Sequence, residues 1–341
     1  SLAPGAFSTV SERTIMLTLG KLRGLATVAA PNGTLSMLAL DHRGSFKKMT
    51  ADLFDGDATW EQVVAEKVRL GNALLPHSTA VLMDPLYASG ALVARGTLPG
   101  SVGFLVALER SGYDGPDSAR ENVIQEGWTV EAIKRMGAAG VKLLVHFHPE
   151  ASTAQRQIDF VSEVAAQCTE HDLVLVLEPV GYNPAGEKSD PGYIEGMADL
   201  VVETAKTFDR SGADILKLEF PLLKDASFED MTKACQAVTD ATHLPWVVLS
   251  GGVPFDAFLS QVRAACAGGA SGFLGGRAIW KEAMGIKSMV ERDAFLAQVA
   301  APRIAALRAV TDASATPWTD RPSAKTAYGP TDGWHKTYAS R

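Results

Sequence analysis

Short runs of consecutive apolar residues alternate along this chain with longer stretches whose apolar positions recur every three or four residues. Eight of the runs read as strands: 36–41, 79–84, 102–108, 141–146, 173–178, 212–221, 246–250 and 270–274. They are short and apolar on both faces, the pattern of a parallel sheet covered by helices on each side. Helical periodicity fills 17–29, 60–74, 155–171, a stretch through Val202 and Ala205, then 228–242, 255–267 and 278–310. Thr129 is placed to cap a further helix that stops at Gly137 and Gly140. Gly-Ala pairs at 137, 212 and 269 mark three helix-to-strand joints, and Pro179 and Pro221 are read as closing their strands.

Eight such units predict a (β/α)8 TIM barrel over 21–310, with an extra N-terminal helix. Residues 1–20 are read as a flexible N-terminal segment and 311–341 as a C-terminal tail or extended arm. The arm is rich in Thr, Ala, Pro and Asp, yet it carries Trp318, Tyr328, Trp334 and Tyr338. Such aromatics suit a segment lying on the barrel or on a neighbouring subunit, and a homo-oligomer is expected. A doubly wound open sheet is the structural alternative, and no G-x-G-x-x-G follows any strand to support it.

Composition narrows the partners. At 341 residues and 46% hydrophobic, the chain can bury a large core. A net charge of −7 disfavours nucleic acid and anionic membranes, but leaves room for an anionic small molecule bound by a local cluster of cations. The cysteines, Cys168, Cys235 and Cys266, are scattered without a C-x-x-C and read as buried thiols of a cytoplasmic protein. No run approaches the ~20 apolar residues of a membrane span.

Candidate chemistry gathers at the strand ends, because a barrel of this kind carries its site at the C-terminal face. Asp41 and Asp84 end the first two strands, Lys142 and His146 share a face of the fourth, and Glu178 ends the fifth. On the sixth, alternation puts Ile215, Lys217 and Glu219 on one face. An ammonium on a buried strand is costly unless paired, and a lysine so placed is suited to attack a carbonyl as a neutral amine. Lys142 would be a second cation beside it, and Glu178 a carboxylate able to move protons. Ser250, Gly251, Gly252 and then Gly275, Gly276 and Arg277 follow the last two strands, where barrels hold phosphate on backbone N–H groups and one arginine.

Seven motifs in order give the chain a family resemblance: LALDHRG (38–44), ERSGYD (109–114), VKLL (141–144), LEP (177–179), DILKLE (214–219), LSGGV (249–253) and GGRA (275–278). The chain resembles the class I tagatose-bisphosphate aldolases, a group that includes sulfofructose-phosphate aldolases. The resemblance implies a cofactor-free enzyme, a carbon–carbon lyase acting on a sugar phosphate. It implies that Lys217 forms the Schiff base, Glu178 transfers protons, and Asp41 and Lys142 meet the substrate hydroxyls and iminium. Ser250, Gly251, Gly252, Gly276 and Arg277 would cradle the phosphate of the dihydroxyacetone-phosphate half, with His42 and Arg43 also on the substrate. Where the family has Asp-Gln-Arg, this chain has Asp41-His42-Arg43, a change at a position that reads hydroxyls. The resemblance implies tagatose 1,6-bisphosphate first as the substrate, with 6-deoxy-6-sulfofructose 1-phosphate as the alternative.

Other readings compete for some of these residues. His146 and His148, spaced for one face, could join His42 around a metal, but Pro149 puts the second ring in a loop and no metal is expected. Arg95 and Arg110 are read as solvated surface, Asp84 equally as a turn cap or a substrate contact, Glu219 as a balance for Lys217, and Trp246 and Trp280 as barrel packing. A non-catalytic sugar-phosphate sensor on the same barrel is the alternative of another class, which retention of both Lys217 and Glu178 disfavours.

Overall fold

The computed structural model describes residues 17–222, 226–336 and 338. Eight parallel strands close into a barrel in sequential order. They are β1 (Leu35–Leu40), β2 (Ala80–Met83), β3 (Gly103–Ala107), β4 (Gly140–Phe147), β5 (Val174–Gly181), β6 (Ile215–Leu218), β7 (Trp246–Leu249) and β8 (Gly272–Gly275). This is the (β/α)8 architecture expected from the alternating runs. Most of 1–20 lies outside the described residues.

Strand alternation separates two apolar layers. Leu35, Met37, Ala39, Ala80, Leu82, Leu105, Val174, Val176, Ile215, Val247 and Leu274 fill the inside of the barrel. Their neighbours in sequence, such as Leu38, Val81, Val106, Val141, Leu175, Leu216 and Phe273, face the surrounding helices. The period of two then carries forward past the core: Asp41, Glu109, Lys142, Glu178 and Lys217 are the next inward positions toward the C-terminal mouth.

Local signals set the helix starts. Thr129 accepts a hydrogen bond from Ala132 N and opens Val130–Arg135. Thr59 and Gln62 form a reciprocal capping box at the head of Trp60–Leu74. Two helices lacked a readable period. Gly44–Leu53 buries Phe46, Thr50 and Leu53, and a buried threonine hides the stripe; Ser89–Ala94 has six residues.

Two boundaries depart from expectation. Pro179 does not close β5, which runs on to Gly181. Beyond Leu177, β5 pairs with β4 alone, so the missing N–H of Pro179 interrupts no ladder with β6. The stretch 278–310 is not one helix. It breaks after Gly285, restarts at Ser288, whose side chain caps Met289–Phe295, and passes through a π-turn before Ala301–Ser314. Pro302 explains the last break, since it has no N–H to give the preceding turn.

The floor of the barrel is closed by both ends of the described chain. Leu17, Leu25, Val28 and Trp318 join the inner apolar layer. Leu17 N donates to Thr326 O at 3.0 Å, and Tyr328 N donates to Leu17 O at 2.9 Å. Arg321 is buried, with Nε donating to Leu244 O at 3.2 Å and Nη2 to Thr239 O at 3.0 Å. Tyr338 Oη donates to Asp172 at 3.1 Å. Among the described residues, no helix is long and apolar enough to cross a membrane. Because Trp318 fills the floor, Trp318→Ala should cost about 3 kcal/mol or more in denaturant unfolding.

Candidate active site

Lys142 occupies the centre of the mouth. Its Nζ lies 3.0 Å from Asp41 Oδ2, 2.9 Å from Glu109 Oε1 and 3.1 Å from Glu178 Oε2. Three carboxylates thus surround one ammonium, with Glu109 accepting its hydrogen bond. The second oxygen of Glu178 lies 2.8 Å from Lys217 Nζ, so one carboxylate bridges the two lysines. Arg43 closes the other side, donating to Glu109 through Nη2 at 3.0 Å and to its carbonyl at 2.6 Å. Three cations and three anions thus share a nearly dry site, and the remaining Glu109 oxygen accepts from Leu144 N at 3.1 Å.

Burial and charge compete at each group. Burial alone would raise the Asp41 carboxyl, but Lys142, Lys217 and His42 outweigh it and hold it well below the usual range. For Glu178, burial is likewise overcome by Lys217 and Lys142, and its pKa is lowered. Burial would lower Lys142, and Glu109, Glu178 and Asp41 reverse this, keeping it charged far into alkaline pH. His42 has its pKa pushed down to about 4, by burial first and then by Arg277 and Lys217 against the pull of Asp41.

The turns after β7 and β8 meet beside this cluster. Gly251 and Gly252 take φ of 56° and 83°, a region open to glycine at little cost. A side chain on Gly252 would come 3.4 Å from the Arg277 guanidinium, which lies flat against the turn. A side chain on Gly276 would press to 2.9 Å from the His42 ring. Ser250 is buried at the head of the first turn. Backbone amides of two glycine turns and an arginine therefore lie together on the β7–β8 side of the mouth, a donor set suited to an oxyanion.

Residues 35–282 match the model of the DeoC/LacD family of aldolases. The chain belongs to this family. Tagatose 1,6-diphosphate aldolase 1 of Streptococcus pyogenes serotype M3 (strain SSI-1) is 30% identical over 312 residues, covering 85% of this chain and 94% of the relative. Tagatose 1,6-diphosphate aldolase of Lactococcus lactis subsp. lactis is 30% identical over 336 residues, covering 90% and 100%. An archaeal fructose 1,6-bisphosphate aldolase structure superposes with a TM-score of 0.57 at 20% identity, covering 85% of this chain and 98% of that one, a likeness of fold. The chain is an aldolase, a carbon–carbon lyase.

Within this aldolase the residues singled out from sequence fall into two groups and a pair of supports. Asp41, Lys142, Glu178 and Lys217 form one ion-paired cluster. Ser250, Gly251, Gly252, Gly276 and Arg277 form the adjoining turns. Arg43 turns toward Glu109 and is buried there. His42 stands between the groups, its ring edge-on to Trp280 at 5.3 Å, with a buried Nδ1 that lacks a hydrogen-bond partner. Glu219 does not balance Lys217; it accepts from Gly181 N and pairs with Lys188, each at 2.8 Å. His146 is bonded through Nδ1 to Asn122 at 3.1 Å, and its pKa is pushed down to about 4, chiefly by burial.

Two residues of this site were not identified from sequence. Glu109 lies inside the ERSGYD motif, and the inward parity of β3 would have pointed to it. Lys67 carries no such mark. It is fully buried on the helix Trp60–Leu74 and donates to the carbonyls of Leu40 at 2.6 Å and His42 at 2.7 Å, flanking Asp41. Asp84 neutralises it at 2.5 Å while accepting from Leu86 N and Tyr87 N, so the turn-cap reading of Asp84 describes half its role.

Removing the central cation exposes the cost of this arrangement. Lys142→Met leaves facing carboxylates buried and should lower stability by about 3–5 kcal/mol in denaturant titration. The pH profile of stability should be asymmetric. His42 and His146 have folded pKa values near 4, below the ordinary 6.5. Their contribution is therefore whole above about pH 6.5 and is lost as pH falls toward 4. Asp41 and Glu178, also depressed, add a loss at lower pH, whereas Lys142, raised, loses its contribution only as pH climbs above the ordinary lysine range. Thermal melts from pH 4 to 9 should show the acid limb, and His42→Gln should flatten its upper part.

Proposed function

We propose that this aldolase cleaves a ketose 1-phosphate carrying a second anion at C6, tagatose 1,6-bisphosphate foremost, into dihydroxyacetone phosphate and glyceraldehyde 3-phosphate. The observation that carries the reading is Lys217 held at 2.8 Å on a carboxylate that Lys142 keeps ionised from its other side. Glu178 accepts a proton from the Lys217 ammonium, and the freed amine adds to the C2 carbonyl. Loss of water from the carbinolamine leaves an iminium at C2. Glu178, directly or through water, then takes the C4 hydroxyl proton. The C3–C4 bond breaks, its electron pair passes into the iminium as an enamine, and the aldehyde departs. Protonation at C3 and hydrolysis of the iminium release dihydroxyacetone phosphate and restore Lys217.

The other groups support this path by position. Lys142, on the other oxygen of Glu178, is a cation placed to stabilise an alkoxide developing beside that carboxylate. Gly251, Gly252, Gly276 and Arg277 suit the C1 phosphate. The tagatose 1,6-diphosphate aldolases to which the chain is similar support the choice of sugar. A second reading, 6-deoxy-6-sulfofructose 1-phosphate giving sulfolactaldehyde, rests on His42, which presents an unpartnered, neutral nitrogen where the resembled aldolases carry glutamine.

Borohydride reduction with dihydroxyacetone phosphate, followed by peptide mass spectrometry, should place the adduct on the peptide containing Lys217. Lys217→Met should abolish both adduct and turnover. Glu178→Gln should slow turnover by roughly 10²–10⁴-fold. An adduct on another lysine, or cleavage that survives Lys217→Met, would overturn the mechanism.

A further inference from the structure

A second cationic pole stands across the mouth from the glycine turns. The segment after β3 folds over the end of β4, with Asp114 bridged to Glu121 and Glu109 to Ile124. Within it the Arg120 guanidinium lies 4.5 Å from the Tyr113 ring and 4.8 Å from the Tyr182 ring. Tyr113 itself packs edge-on against His146 at 4.9 Å. A guanidinium stacked between two rings is fixed in orientation, with its donors directed along the edge. Its Nε donates to Asp117 O at 3.1 Å. The nearest carboxylate, that of Asp117, lies 3.9 Å away and is 84% exposed, a weak partner for a held cation. Lys188 is the other cation at this rim and is already paired with Glu219.

The register places this pole on the line a substrate would follow. On β4, His146 is the next inward position beyond Leu144, and it pairs with Val180 one inward step beyond Glu178. The Tyr113 ring that Arg120 overlies packs on His146, and His146 stands one inward step above the level of Glu178, so Arg120, His146 and the cluster follow one another toward the barrel. In a closed ring of eight strands, β4 lies opposite β8. The mouth is thus ordered as glycine turns on β7 and β8, Lys217 on β6, Glu178 on β5, and Arg120 above β4. A ketose with its first anion at the turns, C2 at Lys217 and C4 at Glu178 continues toward Arg120.

We propose that Arg120, stacked between Tyr113 and Tyr182 with His146 beneath it, is the subsite for the anionic group at the far end of the substrate. This rests on the Schiff-base reading given above. Arg120 is then a specificity determinant, reading the terminal anion through charge and paired donors. Phosphate and sulfonate share the needed chemistry, and the aldehyde released is the one that carries it.

The test uses the condensation direction, with dihydroxyacetone phosphate and one of three aldehydes: glyceraldehyde 3-phosphate, sulfolactaldehyde or uncharged glyceraldehyde. The readout is the ratio of kcat/KM for an anionic aldehyde to that for glyceraldehyde. Wild type should favour one or both anionic aldehydes, and Arg120→Met should lower that ratio on the order of 100-fold. Tyr113→Leu, which removes one face of the stack from a surface loop, should lower it several-fold and decides the matter should the first variant not fold. Loss of the advantage of either anionic aldehyde supports the subsite. A ratio unchanged in these variants, or a wild type indifferent to the anion, overturns it. Borohydride trapping of dihydroxyacetone phosphate on the wild type separates the two claims. Failure to trap would sink the Schiff-base reading, whereas trapping with an unchanged ratio would sink only the subsite.

Discussion

Everything at the mouth of this barrel depends on one ammonium shared by three carboxylates. Lys142 ion-pairs with Asp41, Glu109 and Glu178, which come from the ends of β1, β3 and β5. Those strands are separated in sequence and would repel one another there without a shared cation. The same contact fixes the ionisation of Glu178 and leaves its outer oxygen for Lys217. Positioning and proton chemistry are therefore one arrangement. The surrounding residues work on its members: Arg43 holds Glu109, and Lys67 with Asp84 holds the backbone on both sides of Asp41. A site built this way is costly in desolvation and gains definition in return, because each carboxylate has few places to go.

The division of labour around the ring follows from topology. Parallel strands all deliver their C-terminal ends to one face, so functional groups from distant segments meet there without long loops. The inward period of two selects which residues arrive, and strand length selects how high they stand. β4 and β5 are the longest strands, at eight residues each, and they lift His146 and Val180 above the Lys142–Glu178 level. That extra height makes the β4–β5 side of the mouth a wall, while β7 and β8 end early in glycine turns.

Much of this was legible before any coordinates. Apolar runs bounded by Gly and Pro marked the strands, and their parity pointed Lys142, Glu178 and Lys217 inward. What stayed hidden is non-local. Nothing around Lys67 distinguishes it from a solvent-facing lysine on an amphipathic helix until the end of β1 is laid against it. Glu109 lies within a motif that shows no partner for it, since the residue that needs it, Lys142, is 33 positions away. Glu219 was assigned to Lys217 by sequence proximity, yet its neighbours are Gly181 and Lys188 across a strand gap. Pro179 misled for a related reason: whether a proline ends a strand depends on which of its sides is paired.

The seam on the floor has a meaning for how the molecule is made. Leu17 exchanges backbone hydrogen bonds with Thr326 and Tyr328, so the segment before β1 finds its partner only after all eight strands have been made. A ribosome releases the N-terminal end first, and β1 must wait for β8 to close the ring. The growing chain thus carries an open sheet edge and an uncovered apolar floor throughout synthesis, the condition in which aggregation is most favoured. The stretch with Trp318 and Arg321 follows all eight strands and acts as a latch that covers that surface. Once it has closed, the two ends lie side by side, and the order in which the strands were made no longer matters to the fold.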